Sequence, residues 1–201
     1  MVNIESQLYS SGIKFIAGVD EAGRGPCAGP LVVAAIILGN APDQKWSRIN
    51  DSKKLTEKVR EELFEEITES ALSYSIIEIS VQEIDAFGLH KSNLEGMRRA
   101  VNSLHVRPEY VLTDGYPISG LDAPTLAIWK GDQVATSISA ASILAKVYRD
   151  HLMVELDSKY PGYGLSKHKG YITPAHSKAL LEFGVSDVHR RSFKNVAELS
   201  Q

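Results

Sequence analysis

At 201 residues, with 43% hydrophobic and 23% charged side chains, the chain can bury one good core and has the composition of an ordinary globular protein. Its longest apolar run has eight residues, too short to span a bilayer, and the N-terminus lacks the basic-then-apolar pattern of a secretory signal. One cysteine, Cys27, excludes an internal disulfide and a thiolate metal cluster, so the expectation is a cytoplasmic protein without membrane association, and nothing points to an obligate dimer. The net charge of −3 does not by itself point to a nucleic acid. Its distribution is more informative. Between Lys159 and Asn195 seven Lys or Arg face two acids, whereas Glu57 to Glu69 holds six glutamates and two basic residues, a polarity suited to one basic working face.

Residues 1–12 are polar and are expected at the periphery. Lys14–Val19 and Leu31–Leu38 read as an antiparallel strand pair joined by a glycine loop, and Asn40–Asn50, with Pro42 and no apolar period, reads as a loop. Thr56 is a candidate N-cap for a helix that buries Val59, Leu63, Phe64 and Ile67 and exposes its glutamates. Tyr74–Ile79 reads as a strand, and Ser80 with Glu83 as a capping box opening a short helix. Gly88 separates that helix from a second, about Ser92 to His105. Two short strands follow, Tyr110–Thr113 delivering Asp114 and Thr125–Trp129 delivering Lys130-Gly131-Asp132. A long helix is expected from about Val134 to Asp157, with small residues against a sheet and Lys146 and Arg149 facing outward. After the break at Tyr160–Gly164 come a basic loop ending at Tyr171, a helix from Thr173-Pro174 to Gly184, and His189–Phe193. The order predicts a mixed α/β core over about 13–157 and a helical, basic C-terminal part over about 158–201 of one domain.

Three strands therefore end in acids beside glycine: Asp20-Glu21, Asp114 and Asp132. Successive strand side chains point to opposite faces, so Asp20 and Glu21 can share a site only at a strand end. Adjacent carboxylates repel each other unless a cation lies between them, and hard cations such as Mg²⁺ take such oxygen ligands. Four carboxylates at one sheet edge can hold two divalent ions about 4 Å apart, the arrangement for a phosphoryl displacement. Gly23 and Gly25 let backbone approach a ligand, and Arg24 offers a planar fork of donors for phosphate. Lys53, Lys130, Lys146, Lys167, Lys169, Arg190 and Arg191 are further candidates for phosphate, whereas His168, His176 and His189 are assigned to loop contacts or packing because oxygen ligands are already at hand.

Gly18-Val-Asp-Glu-Ala-Gly-Arg-Gly-Pro26, Asp51-Ser-Lys-Lys-Leu55, Asp114-Gly115, Lys130-Gly-Asp132, Ser139-Ala-Ala-Ser-Ile-Leu-Ala-Lys-Val-Tyr-Arg-Asp150, Lys167-His-Lys-Gly-Tyr171 and His189-Arg-Arg-Ser-Phe193 stand in this order. Together they closely resemble bacterial ribonuclease HII, the type 2 ribonuclease H, over roughly Gly18 to Phe193. The resemblance implies a ribonuclease H-like fold, a central mixed sheet flanked by helices with a helical C-terminal extension. It implies cleavage of the RNA strand of RNA–DNA hybrids, and incision 5′ to single ribonucleotides in duplex DNA, with Mn²⁺ or Mg²⁺ as cofactor. By position Asp20, Glu21, Asp114 and Asp132 match the acidic quartet, Gly23-Arg24-Gly25 the loop that grips the backbone, and Tyr171 the tyrosine that senses the 2′-hydroxyl, with Lys53 a further substrate contact. Tyr160 and Tyr163 are rivals for the tyrosine's place. Departures from the pattern are Cys27 for an aliphatic residue, Val134 for a basic one and Ile172 after the tyrosine; none touches the acids. The competing readings are a non-catalytic nucleic-acid binding module and a structure-specific DNA nuclease of the same broad fold, of which the first predicts loss of an acid. A sliding clamp is conceivable as a partner, without a clear clamp-binding motif.

Overall fold

The computed structural model describes residues 4–39, 46–49 and 55–198. Lys53, and all of Asn40–Asn50 except its turn at 46–49, lie outside them. Five strands form one sheet in the order β3-β2-β1-β4-β5. They are β1 (Ile16–Ala22), β2 (Leu31–Ile37), β3 (Ser73–Ile79), β4 (Tyr110–Asp114) and β5 (Thr125–Ile128). As expected, β1 pairs antiparallel with β2; in addition β2 pairs antiparallel with β3, and β4 and β5 run parallel to β1.

The uniform apolarity of β2 reflects cover on both faces. Leu31, Val33, Ala35 and Ile37 pack with Met97, Ala100 and Val101 of α4 (Leu89–Asn102), and Ile84 of α3 (Val81–Phe87) joins them. Val32, Ala34 and Ile36 pack on the other side with Leu63 and Ile67 of α2 (Glu57–Ser70) and with Ala140, Ile143 and Leu144 of α5 (Thr136–Lys159). Each such fully buried Leu or Ile contributes about 1.5–3 kcal/mol. The start of α5 lies directly on β1, because a Cβ on Gly18 would stand 2.1 Å from the Ser137 carbonyl carbon. Only glycine allows that approach.

Local signals fixed several helix ends. Thr56 caps α2 by accepting from the Val59 amide, and both halves of the Ser80–Glu83 capping box are present at α3. Gly88 is the joint, but at φ 83° it ends α3 and begins α4 in one residue, so α4 runs Leu89–Asn102 and starts earlier than the apolar period indicates. A 3₁₀ turn at Gly131–Gln133 delays α5 to Thr136. The N-terminal stretch is not merely peripheral. It forms α1 (Ile4–Ser10), whose buried Glu5 accepts from the Thr136 and Ser137 amides at 2.8 and 2.9 Å. Ala135 provides no side-chain cap for α5, so a carboxylate from the far end of the chain does.

Two arginines depart from expectation. Arg149 is 2% exposed rather than outward, and donates to the carbonyls of Ala28, Pro30 and Lys169 at 3.0–3.1 Å. Arg190, expected at phosphate, is fully buried and donates to the Gly29 and Arg24 carbonyls. The turn after the glycine loop leaves carbonyls without a strand partner, and a guanidinium can satisfy several at once. Burial pulls the Arg149 pKa down to about 10 and that of Arg190 to about 9, which leaves both charged at neutral pH. The C-terminal part adds α6 (Leu165–His168), α7 (Pro174–Phe183) and α8 (Lys194–Ala197); Thr173, Pro174 and Gly184 bound α7 as expected. Leu165, Ala179, Leu180 and Val188 pack there with Ala28 and Met153.

Replacing Arg149 with Met strands the buried Ala28 carbonyl and the half-buried carbonyls of Pro30 and Lys169, so urea denaturation is expected to register a loss of about 3 kcal/mol or more; a loss under about 1 kcal/mol would contradict the role given to its hydrogen bonds. A second expectation concerns pH. His189 is 1% exposed and faces His176, His168, Arg191 and Ser186; burial first, and His176 next, lower its pKa to about 4. An unfolded histidine protonates near 6.5, so below that pH the unfolded state binds a proton that the folded state refuses. This part of the stability is complete above about pH 6.5 and falls by about 3 kcal/mol toward pH 4. The urea midpoint of the wild type should therefore drop between pH 7 and 4.5 more steeply than that of His189→Gln, and equal slopes would refute the assignment.

Candidate active site

The period of two along β1 decides how the site is built. Asp20 pairs with Ala34 and Glu21 with Val33. Directly paired residues share a face of the sheet, and Ala34 packs on the α5 side, Val33 on the α4 side. Each carboxylate thus meets the helix layer on its own side. Ser142 of α5 hydrogen-bonds Asp20, and Asn93 of α4 lies against Glu21 close enough to favour its charged form, although neither Asn93 side-chain polar atom is in full hydrogen-bonding geometry. The parallel pairing with β4 ends at Val19 and Thr113, so the two acids project beyond it while β1 remains paired with β2 as far as Ala22. Asp114 ends β4, with its Oδ1 accepting from the Gly131 amide at 2.7 Å.

Asp20, Glu21 and Asp114 line one cleft of about 270 Å³ together with Gly23, Arg24, Gly25, Arg60, Ser142, Lys146, Arg149 and Tyr171. Asp20 is 5% exposed; burial, then Glu21 and Asp114, push its carboxyl well above the usual range. Burial likewise raises Glu21, against the pull of Arg24. Glu21 Oε2 is buried without a hydrogen-bond partner. Asp132 stands beside this group rather than on its wall. It is buried in the 3₁₀ turn next to Gly131, and its backbone carbonyl accepts from Ser139 Oγ at 2.6 Å.

Crowded carboxylates with an unpartnered buried oxygen suit a hard divalent cation, whose arrival would relieve their repulsion. Among the described residues no three His, Cys, Asp or Glu already form a metal cage. That is compatible with Mg²⁺-type sites, in which one or two carboxylates act with water and substrate phosphate.

The glycine loop is shaped from both sides. Gly23 has φ 100°, and a Cβ there would fall 2.1 Å from Arg149 Nε. A Cβ on Gly25 would approach the Tyr171 ring to 3.2 Å, so loop and tyrosine abut each other at the cleft. Arg24 lies over the Tyr116 ring at 4.7 Å and 3.5 Å from Glu21 Oε1. Lys146 reaches Asp150 at 2.7 Å from the cleft wall, and Arg60 donates to the Leu55 carbonyl.

Of the other candidates, Lys130, Lys167 and Arg191 are exposed but do not line this cleft, and Lys169 is half-buried. Tyr163 is buried with its hydroxyl on the Gly184 carbonyl at 2.9 Å, and Tyr160 packs in the same cluster, so neither rivals Tyr171. His176 and His189 are buried and His168 half-buried, in packing and loop contacts as expected. Sequence reasoning missed Ser142, Arg60, Tyr116 and Asn93. One signal was available, since Ser142, Lys146 and Arg149 recur at helical spacing on one side of α5.

Residues 17–196 match the family described as Ribonuclease HII. A ribonuclease HII of Nocardia farcinica is 55% identical over 195 residues, covering 97% of this chain and 78% of that protein. The ribonuclease H2 structure from Pyrococcus horikoshii superposes with a TM-score of 0.82 at 29% identity, over 92% of this chain and 97% of that one. The ribonuclease HII of Archaeoglobus fulgidus, solved in complex with PCNA, gives 0.72 at 29% identity, over 90% and 95%. With its mixed sheet, its acids at one edge and this likeness along nearly its whole length, the chain belongs to the ribonuclease HII family of metal-dependent endoribonucleases.

Proposed function

We propose that this chain cuts the RNA strand of RNA–DNA hybrids and incises duplex DNA 5′ to a single ribonucleotide, leaving a 3′-hydroxyl and a 5′-phosphate. The observation that carries this reading is the meeting of Asp20, Glu21 and Asp114 in one cleft with the Gly23–Gly25 loop and the Tyr171 ring that abuts it. Asp20, Glu21 and Asp114, joined by Asp132 from the adjacent turn, would hold two Mn²⁺ or Mg²⁺ ions. When bound, such ions lower the pKa of a water and neutralise charge developing on the phosphoryl oxygens.

The chain's own residues bind and orient the substrate. A 2′-hydroxyl distinguishes RNA from DNA at one nucleotide, and reading it needs close backbone donors and a fixed side chain. Gly23 and Gly25 bring backbone to the cleft without a Cβ, and the half-exposed Tyr171 lines the cleft beside Gly25. Arg24 is held by Glu21 and Tyr116, so its fork is set in place before a phosphate arrives. Lys146 and Arg60 add positive charge to the same wall, which would make binding weaken as salt rises. Asp20 is kept buried beside the charges of Glu21 and Asp114, at a cost that a non-catalytic binding module has no reason to bear, which favours the enzyme reading.

The direct test is a labelled DNA duplex with one ribonucleotide, incubated with Mn²⁺ or Mg²⁺ beside an all-DNA control. One cut 5′ to the ribonucleotide is expected, abolished by chelator and reduced at least about 100-fold in Asp20→Asn. Binding without cleavage of this duplex or of a hybrid tract, by folded and metal-supplied protein, would replace the proposal with the binding module. Gly25→Ala places a methyl against the Tyr171 ring. It is expected to lower incision at the single ribonucleotide on the order of tenfold with the melting temperature little changed; unaltered incision would show that loop and tyrosine do not act together.

A further inference from the structure

The three histidines behind the cleft form a hydrogen-bonded arrangement whose proton positions the surrounding atoms fix. His176 Nδ1 stands 2.9 Å from the Tyr171 carbonyl oxygen, which can only accept, so Nδ1 carries the proton. Burial lowers the His176 pKa and keeps the ring neutral, leaving its Nε2 bare. That nitrogen lies 3.0 Å from His189 Nε2, so His189 donates. His189 Nδ1 is then the acceptor, and it receives the Ser186 amide at 3.1 Å and the Ser186 hydroxyl at 2.9 Å. Every nitrogen of the pair is used, and only one pair of tautomers uses them all. The order is Ser186 to His189 to His176 to the Tyr171 carbonyl.

His168 extends the device. Its ring stacks on His176 with centroids 4.3 Å apart, its Nε2 donates to the Tyr163 carbonyl, and its Nδ1 accepts from the Gly170 amide. Its own carbonyl accepts from the Tyr171 amide at 2.9 Å. Both main-chain groups of Tyr171 are therefore tied to histidines, while its side chain, half exposed, projects into the cleft against Gly25. A tyrosine on a loop with no strand or helix to fix it is held from behind instead.

We propose that His176 and His189 are positioning residues that aim Tyr171 at the substrate through the Tyr171 main chain, and so set how well the enzyme recognises a ribonucleotide. The inference rests on the reading of Tyr171 as a substrate contact. Neither histidine touches the reacting atoms.

Two measurements test it. In uniformly ¹⁵N-labelled wild-type protein at pH 7.5, imidazole nitrogen shifts should show His176 protonated at Nδ1 alone and His189 at Nε2 alone; any other pair of forms overturns the relay without requiring a variant to fold. The second is a double-mutant cycle on the single-ribonucleotide duplex. His176→Leu should lower kcat/KM on the order of tenfold, and His176→Asn, whose amide can donate where Nδ1 does, should recover most of that loss. In a Tyr171→Ala background His176→Leu should lower it no further, because residues that act as a unit are not additive. Equal losses in both backgrounds would mean a general structural role and overturn the inference alone. If Tyr171→Ala by itself leaves cleavage unchanged, the reading of Tyr171 falls, and the inference with it, while the tautomer result still reports on the relay separately.

Discussion

The segment from Cys27 to Pro30 follows the glycine loop and pairs with no strand of the sheet, yet it is largely buried, so its main-chain groups must find partners elsewhere. They do so almost completely. The Cys27 amide donates to Gly170 and its carbonyl accepts from the Arg190 amide, while the Gly29 amide donates to Val188. The carbonyls of Ala28 and Pro30 are taken by Arg149 and that of Gly29 by Arg190. Arg149 also holds the Lys169 carbonyl, two residues before Tyr171. The glycine loop and the segment that carries Tyr171 therefore rest on the same buried guanidinium groups, and the position of each depends on them.

The acids obey a different constraint. Because adjacent side chains on β1 face opposite layers, Asp20 and Glu21 cannot be served by one helix, and a site that uses both has to sit where the sheet ends and both layers are within reach. Ser142 and Asn93 come from those two layers. The cost is visible in the raised pKa of both carboxyls, an electrostatic strain that a bound cation would relieve.

Much of this was legible in sequence wherever the cause is local. Thr56, the Ser80–Glu83 pair, Thr173-Pro174 and the glycines at 88 and 184 act within a few residues of themselves, and each marks a helix end in the structure. Strands ending in Asp beside Gly are equally local, and they located the cleft. What failed was long-range. Nothing near Arg149 or Arg190 in sequence says that carbonyls await them, so both were assigned to solvent or phosphate. Glu5 caps a helix 131 residues away, and its polar surroundings concealed it.

Those same long separations bear on when the site can come into being. The hydrogen bonds from Arg190 to Gly29 span 161 residues, and those from Arg149 to Ala28 span 121. Contacts so distant in sequence close late, because the chain between them must be ordered first. On the ribosome the glycine loop and two of the acids emerge early, but the groups that hold the loop in shape follow more than a hundred residues later. A partly made chain can have its β1–β2–β3 sheet and still have no organised cleft. Within one polypeptide, the cleft thus cannot be organised until α5 and the C-terminal part have both been made.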